Sequence, residues 1–91
     1  MINTFMNEID NCISQNNSIV IQIWSQDVLV IGKETEIDFY LINDNRQLEI
    51  YDYSGQMITI PLDELQYDEE EMVYWFNLIR NFDQLTMRIF F

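Results

Sequence analysis

The sequence predicts an α+β domain in which an antiparallel sheet lies between an N-terminal and a C-terminal helix. Short apolar segments that alternate with polar residues recur at nearly regular spacing through the middle of the chain. Segments with a helical period flank them, and no strand–helix–strand repeat occurs. The 91 residues have the length of a single domain, which we assign to residues 1–91.

The first predicted element is a short helix over residues 4–14. Its apolar side chains lie at i, i+4, i+7 and i+8 and therefore share one helical face: Phe5, Ile9, Cys12 and Ile13. Asn3 or Thr4 is the expected N-cap, and the polar run after residue 14 is expected to end the helix. Cys12 is interpreted as a small core residue, because the chain has no histidine that could activate a thiol.

Five short strands are predicted to follow as an antiparallel meander. They cover residues 18–24, 28–31, 36–43, 48–53 and 57–60. Gly32 and Lys33 are expected to interrupt the chain between the second and third of these strands. Polar segments such as 43–46 and the pair Ser54-Gly55 favour turns between the later strands.

The second predicted helix covers residues 68–82, after Pro61 has ended the meander and residues 62–65 have formed either a single helical turn or an irregular edge. Asp68 is the expected N-cap, and Glu71 three residues later completes the pattern of a capping box. One apolar stripe at helical spacing is predicted to bury this helix: Met72, Trp75, Phe76, Ile79 and Phe82.

Residues 84–91 alternate again and predict a final C-terminal strand. The alternative to the α+β arrangement is a small curved β-barrel with helical additions, since five short strands can close on themselves. No apolar run reaches the length of a membrane span, and the first ten residues contain acids but no basic segment. The expected location is therefore the cytoplasm.

The net charge of −12 separates the partners that this surface would attract from those that it would repel. Such a surface repels phosphate backbones and anionic lipid, so we expect no direct nucleic-acid or membrane binding. A basic protein partner, a cation or no partner at all remains. The simpler interpretation is that the acidic residues only keep the protein soluble.

The composition argues against catalysis and against a metal site. Without histidine the chain lacks the commonest general base and the commonest zinc ligand, and two glycines cannot build a phosphate-binding loop. Adjacent carboxylates such as those of residues 68–71 point in different directions on a helix and cannot converge on one ion. We therefore expect no enzyme activity, no metal and no cofactor.

The candidate binding surface is the outward face of the meander. With Ile37, Phe39 and Leu41 towards the core, alternation places acids and tyrosines together on the opposite face. Tyrosine is common at binding surfaces, and carboxylates among tyrosines suit an Arg- and Lys-rich partner. The residues expected to bind a partner are Asp38, Tyr40, Glu49, Tyr51 and Tyr53, with Glu69 and Glu70 as a second group.

The sequence therefore favours a small acidic inhibitor or adaptor that occludes a basic site on a partner protein. A nuclease or another nucleic-acid-handling protein is the natural target, because its groove attracts negative charge. In size and acidity the chain is similar to phage-encoded anti-defence proteins and to toxin-neutralising immunity proteins. The alternatives are an immunity protein, or a self-associating subunit whose apolar C-terminal strand pairs across a homodimer axis.

Overall fold

The computed structural model describes residues 1–80 and 82–91, which fold into one α-helix and an antiparallel β-sheet of seven strands. In chain order the elements are α1 (Ile2–Gln15), β1 (Ser18–Ser25), β2 (Val28–Ile42), β3 (Gln47–Asp52), β4 (Met57–Pro61), a 3-10 turn (Leu62–Glu64), β5 (Gln66–Asp68), β6 (Val73–Ile79) and β7 (Phe82–Phe90).

The seven strands form one sheet in the order β4-β3-β2-β1-β7-β6-β5, with antiparallel pairing throughout. Seven strands laid flat would separate the first from the last by about 29 Å. However, only residues 62–65 connect β4 to β5, and that connection spans at most about 18 Å. The sheet must therefore curl strongly, which brings its two end strands towards each other without pairing them.

Helix α1 packs on the inner face of this curled sheet. Its core-facing residues Phe5, Ile9 and Cys12 are buried, as the helical spacing predicts. The predicted N-cap was wrong, because the helix already begins at Ile2 and no side chain caps it. It ends where expected, at Asn16, whose left-handed backbone directs its N–H to the carbonyls of the last turn.

The predicted second helix was wrong. Residues 69–72 form a turn, and the chain then enters strand β6. The N-cap predicted at Asp68 was therefore wrong as well. Asp68 stabilises the turn instead, since its Oδ1 accepts the backbone N–H groups of Glu70 at 2.9 Å and Glu71 at 3.3 Å. Met72, with φ of 55°, then directs the chain away from a helical path. Asn81, which the predicted helix also covered, lies outside the described residues.

Strand β6 resolves an ambiguity in the apolar pattern. Tyr74 and Phe76 alternate onto the inner face and are buried, and Leu78 packs partly against them. The helical stripe would instead have buried Met72 and Ile79, which are exposed. Residues such as Val73, Tyr74, Trp75 and Phe76 favour strands, and here this preference agrees with the tertiary pairing to β5 and β7.

The meander contains four strands rather than five, because residues 28–31 and 36–43 belong to a single long strand. Gly32 does not interrupt that strand and pairs with Gln22 of β1. Residues 28–36 of β2 pair with β1, whereas residues 37–42 pair with β3. The predicted strands corresponding to β1, β3, β4 and β7 are confirmed, as is the helical turn after Pro61.

The core fills the space between α1 and the inner face of the sheet. Its largest fully buried side chains are Phe5, Ile9, Ile19, Leu48, Ile50, Ile60 and Ile89. Each such side chain contributes about 1.5–3 kcal/mol of burial free energy. Because these residues come from the helix and from four different strands, the core fixes how the two halves of the sheet meet.

Candidate functional site

A register shift in β2 reverses the side-chain orientation on which the predicted binding face depended. Ile37 pairs with Asp52, but Phe39 pairs with Tyr51, so the alternation breaks between Ile37 and Phe39. A slip of one residue moves every later side chain to the opposite face. Phe39 and Leu41 therefore lie on the outer face, not in the core.

We call the resulting outer surface of β2, β3 and β4 the meander face. It consists of Phe39, Leu41, Glu49, Tyr51 and Met57, which strand pairing places side by side. The Phe39 and Tyr51 rings are stacked, with centroids 4.6 Å apart and planes 6° from parallel. Phe39, Leu41 and Met57 are each about half exposed. This surface is thus more apolar than the sequence predicted.

Tyr40 does not belong to the meander face. It pairs with Ile50 on the inner face, packs partly against the core and donates its hydroxyl hydrogen bond to Asp10 of α1 at 2.7 Å. That hydrogen bond to a carboxylate, followed by partial burial, raises the pKa of Tyr40. Tyr40 is a helix–sheet contact, and the prediction that placed it outward was wrong.

The other predicted residues of this surface lie in different settings. Asp38 is exposed at the register shift, and Tyr53 is exposed in the turn after β3. Glu49 lies in the meander face but is already engaged, since Asn43 and Tyr51 donate hydrogen bonds to its two carboxylate oxygens at 3.0 and 3.2 Å. Partial burial and the hydrogen bond to Glu49 raise the pKa of Tyr51.

The two residues of the second predicted group, Glu69 and Glu70, lie in different environments. Glu69 and Glu70 are both exposed in the turn that Asp68 caps. Glu69 lines a cavity of about 560 Å³ between the first turns of α1, the β5–β6 hairpin and the C-terminal end of the chain, whereas Glu70 does not. We call this cavity the aromatic pocket, defined by Glu8, Tyr67, Glu69, Tyr74 and Phe91.

The rings of the aromatic pocket meet at steep angles. Tyr67 and Tyr74 have centroids 4.6 Å apart and planes 51° from parallel, and Tyr74 meets Phe91 at 5.8 Å and 84°. Phe5 of α1 packs edge-on against both Tyr74 and Phe91. Burial, and then the proximity of Tyr67 and Glu8, raise the pKa of Tyr74. The pocket therefore combines a rigid aromatic wall with carboxylates.

The few cations of the chain are largely neutralised within the fold. Lys33 lies 3.6 Å from Asp52, Arg46 lies 2.8 Å from Asp63, and Arg88 lies 3.7 Å from Glu71 while its guanidinium stacks over the Trp24 ring. These three ion pairs, counted over residues 1–80 and 82–91, use only three of the 16 carboxylates. Most of the negative charge therefore faces outward without a counter-charge from the chain.

A second cavity, of about 400 Å³, lies on the part of the inner sheet face away from the aromatic pocket. It is lined mainly by apolar residues: Ile21, Ile23, Ile31, Ile50, Ile58 and Met87. Lys33 lines the same cavity and donates a hydrogen bond to Gln56 at 2.9 Å. Thr35 is buried there, and its hydroxyl has no hydrogen-bond partner among the described residues.

Cys12 is buried, as predicted, and burial together with the nearby Glu8 raises the pKa of its thiol. The thiolate form that nucleophilic chemistry requires is therefore disfavoured.

No helix among the described residues is both long and apolar enough to cross a membrane. No protein-family model, no curated protein and no solved structure matches this chain.

Sequence reasoning missed the apolar half of the meander face and the aromatic pocket. Phe39 and Leu41 were assigned to the core because strict alternation places them with Ile37, and no residue signals the register shift. Tyr67 and Phe91 carried no separate signal, because the pocket joins residues that lie far apart in the chain. Glu69 was selected for its charge alone.

Proposed function

We propose that this protein binds a basic partner protein and covers a site on it that would otherwise bind nucleic acid. The observation that carries the proposal is the exposed apolar meander face on a chain with a net charge of −12. An exposed apolar patch with polar surroundings is typical of a protein–protein contact. The negative charge favours a partner surface that carries the opposite sign.

We assign different roles in binding to the apolar residues of the meander face and to the carboxylates around it. The stacked Phe39–Tyr51 pair and the Leu41 side chain supply apolar area, which contributes most to affinity at an interface. Unpaired carboxylates around the face, including that of Asp38, accelerate association and stand where phosphates would stand. An inhibitor or adaptor of this type requires no catalytic group.

A matched pair of variants tests the apolar part of this proposal. Leu41 and Ile42 are adjacent and similarly exposed, at 52% and 54%, but they lie on opposite faces of β2. The wild type, Leu41→Ser and Ile42→Ser are immobilised and exposed to a lysate of the source cells at low salt. Bound proteins are eluted with a salt gradient, purified, and assayed for nucleic-acid binding in the presence of the wild type.

We expect the wild type and Ile42→Ser to retain one basic protein that Leu41→Ser loses, and a stoichiometric amount of wild type to block its nucleic-acid binding. If the wild type and both variants retain the basic protein equally, the meander face is excluded as the binding surface. A retained protein whose nucleic-acid binding is unchanged would exclude occlusion.

Charge reversal tests the electrostatic part. Asp38→Lys adds positive charge beside the meander face, and Asp27→Lys adds the same charge in the β1–β2 turn. We expect the association rate with the retained protein to fall about tenfold for Asp38→Lys at low salt, and less for Asp27→Lys. Equal rates for the two variants would show that only the total charge matters.

Self-association is a second candidate function, favoured by the exposed apolar run at residues 28–31 of β2. Both edges of the C-terminal strand β7 pair within the chain, with β1 and β6, so we place the proposed dimer contact at residues 28–31 instead. A monodisperse monomer at micromolar concentration in light scattering would exclude self-association. A dimer that Val30→Lys dissociates would support it, because a charged residue in this run opposes pairing.

A further inference from the structure

We infer that the aromatic pocket receives an arginine side chain of the basic partner. The inference rests on the proposed function only for the source of the arginine. The chemistry of the pocket itself can be tested without any partner. The pocket is separate from the meander face, because its walls come from α1, the β5–β6 hairpin and the C-terminal end of the chain.

The first argument is the aromatic wall. Tyr67, Tyr74 and Phe91 line the cavity, and their rings stand at different angles to one another. A cation within about 6 Å of such ring faces is attracted by their electron density. Phe5 supports two of these rings from the core, so the wall is preformed rather than assembled on binding.

The second argument is the charge of the rim. Glu8 and Glu69 both line the pocket, and neither forms a salt bridge within the described part of the chain. Each carboxylate can accept charge-assisted hydrogen bonds from a bound cation. The pocket therefore offers two anionic acceptors beside aromatic rings, which is the complement of a flat organic cation.

Arginine fits these features better than the other cations available to a partner. Its guanidinium is planar, stacks on aromatic faces and presents five N–H donors, whereas the lysine ammonium is a compact and strongly hydrated charge. A metal ion would need several converging oxygen ligands, and residues 1–80 and 82–91 hold no such group of three. The cavity volume of about 560 Å³ lies in the range of small-molecule sites and accommodates one long side chain.

The test uses ligands that differ in charge but not in shape. N-acetyl-arginine amide and N-acetyl-citrulline amide are titrated into the wild-type protein, and the aromatic resonances of Tyr67, Tyr74 and Phe91 are followed by NMR. We expect saturable shifts with the arginine compound and none with the citrulline compound. Equal shifts with both compounds, or none with either, would overturn the inference.

Two adjacent glutamates provide the matched variants. Glu69 lines the pocket and Glu70 does not, although both lie in the same turn and carry the same charge. We expect Glu69→Gln to weaken binding of the arginine compound roughly three- to tenfold and Glu70→Gln to change it by less than about twofold. Equal weakening by both variants would show a diffuse charge effect instead of a site.

A further comparison identifies the source of the guanidinium. Butylguanidine is a free guanidinium compound with a single positive charge, and a short peptide with one central arginine represents a partner side chain. Tighter binding of the peptide supports a partner arginine, whereas tighter binding of butylguanidine would overturn that assignment in favour of a small metabolite. If the arginine compounds bind but no basic protein is retained by the immobilised wild type, only the proposed function fails. If a basic protein is retained but the arginine compounds do not bind, only the pocket inference fails.

Discussion

The meander face and the aromatic pocket use the same side-chain types in opposite ways. On the meander face, Phe39 and Tyr51 project from paired positions of neighbouring strands, so their rings lie parallel, and Phe39 is about half exposed. In the pocket, Tyr67, Tyr74 and Phe91 come from separate elements and meet at steep angles around a cavity. A parallel stack presents a flat area, whereas an angled cluster surrounds a concave space.

The carboxylates of the two regions differ as well. Glu49 of the meander face is held by hydrogen bonds from Asn43 and Tyr51. Glu69 of the pocket has no salt bridge within the described residues. The charge of Glu49 helps to order its own sheet, and the charge of Glu69 remains available to a ligand. Counting acids in a sequence therefore does not reveal which of them can bind a partner.

The largest expected difference between the two regions is in the unfolding free energy that is lost when an aromatic ring is removed. Phe5→Ala removes a fully buried ring beneath the pocket and should cost about 3–5 kcal/mol of unfolding free energy. Phe39→Ala removes one exposed member of a stacked pair and should cost about 0.5–1.5 kcal/mol. Urea denaturation of both variants measures the difference, and similar losses would contradict the assignment of Phe39 to the outer face.

The next effect tests the register shift that created the meander face. Tyr40→Phe removes the hydroxyl that bonds to Asp10 of α1 and should cost about 1 kcal/mol. Tyr53→Phe removes an exposed hydroxyl in a turn and should leave the denaturation midpoint unchanged. If both variants are as stable as the wild type, Tyr40 does not connect the helix to the sheet.

A smaller effect separates the two kinds of carboxylate. Glu49→Gln disturbs two hydrogen bonds and should destabilise the protein by about 0.5–1 kcal/mol. Glu69→Gln removes one unpaired charge from a surface of net charge −12, so its melting temperature should rise slightly at low salt. Moderate salt should raise the wild-type melting temperature and erase the gain of Glu69→Gln, because it screens the same repulsion. A flat salt response would show that the acids are too dispersed to repel one another.

The smallest effect concerns acid stability at the turn beside the meander face. The Ser54 hydroxyl, two backbone N–H groups and the nearby Lys33 lower the pKa of Asp52. A carboxyl whose pKa is lowered by folding stabilises the protein above its unfolded pKa of about 3.9 and loses that contribution as pH falls through the folded value. The melting-temperature advantage of the wild type over Asp52→Asn should therefore be present at neutral pH and shrink below about pH 4. An advantage that does not change with pH would contradict this linkage.

The local sequence predicted much of the fold because several elements depend on nearby residues. The helical face of Phe5, Ile9 and Cys12, the turn at Ser54-Gly55 and the end of β4 at Pro61 follow from spacing and turn chemistry. The second helix failed for a physical reason, since the segment after Asp68 satisfies both a helical and an alternating pattern. Only its pairing with β5 and β7 decides between them.

The candidate site was predicted less well than the fold. Glu49, Tyr51 and Glu69 lie in the two surfaces that the structure presents, but Tyr40 faces the helix. The register shift that caused this error lies at Asp38. Such an extra residue in a strand cannot be recognised from the amino-acid composition of the strand. The pocket was not predicted from the sequence, because residues 8, 69 and 91 come together only in the folded chain.

By itself, the sequence determined the charge, the first helix and most of the strands, since these depend on composition and on contacts within a few residues. The tertiary structure decided the strand identity of residues 73–79, the outward turn of Phe39 and the closure of the aromatic pocket. Each of these outcomes depends on long-range pairing, whose energy comes from partners distant in sequence. Residue patterns that fit two conformations are resolved only when those partners meet.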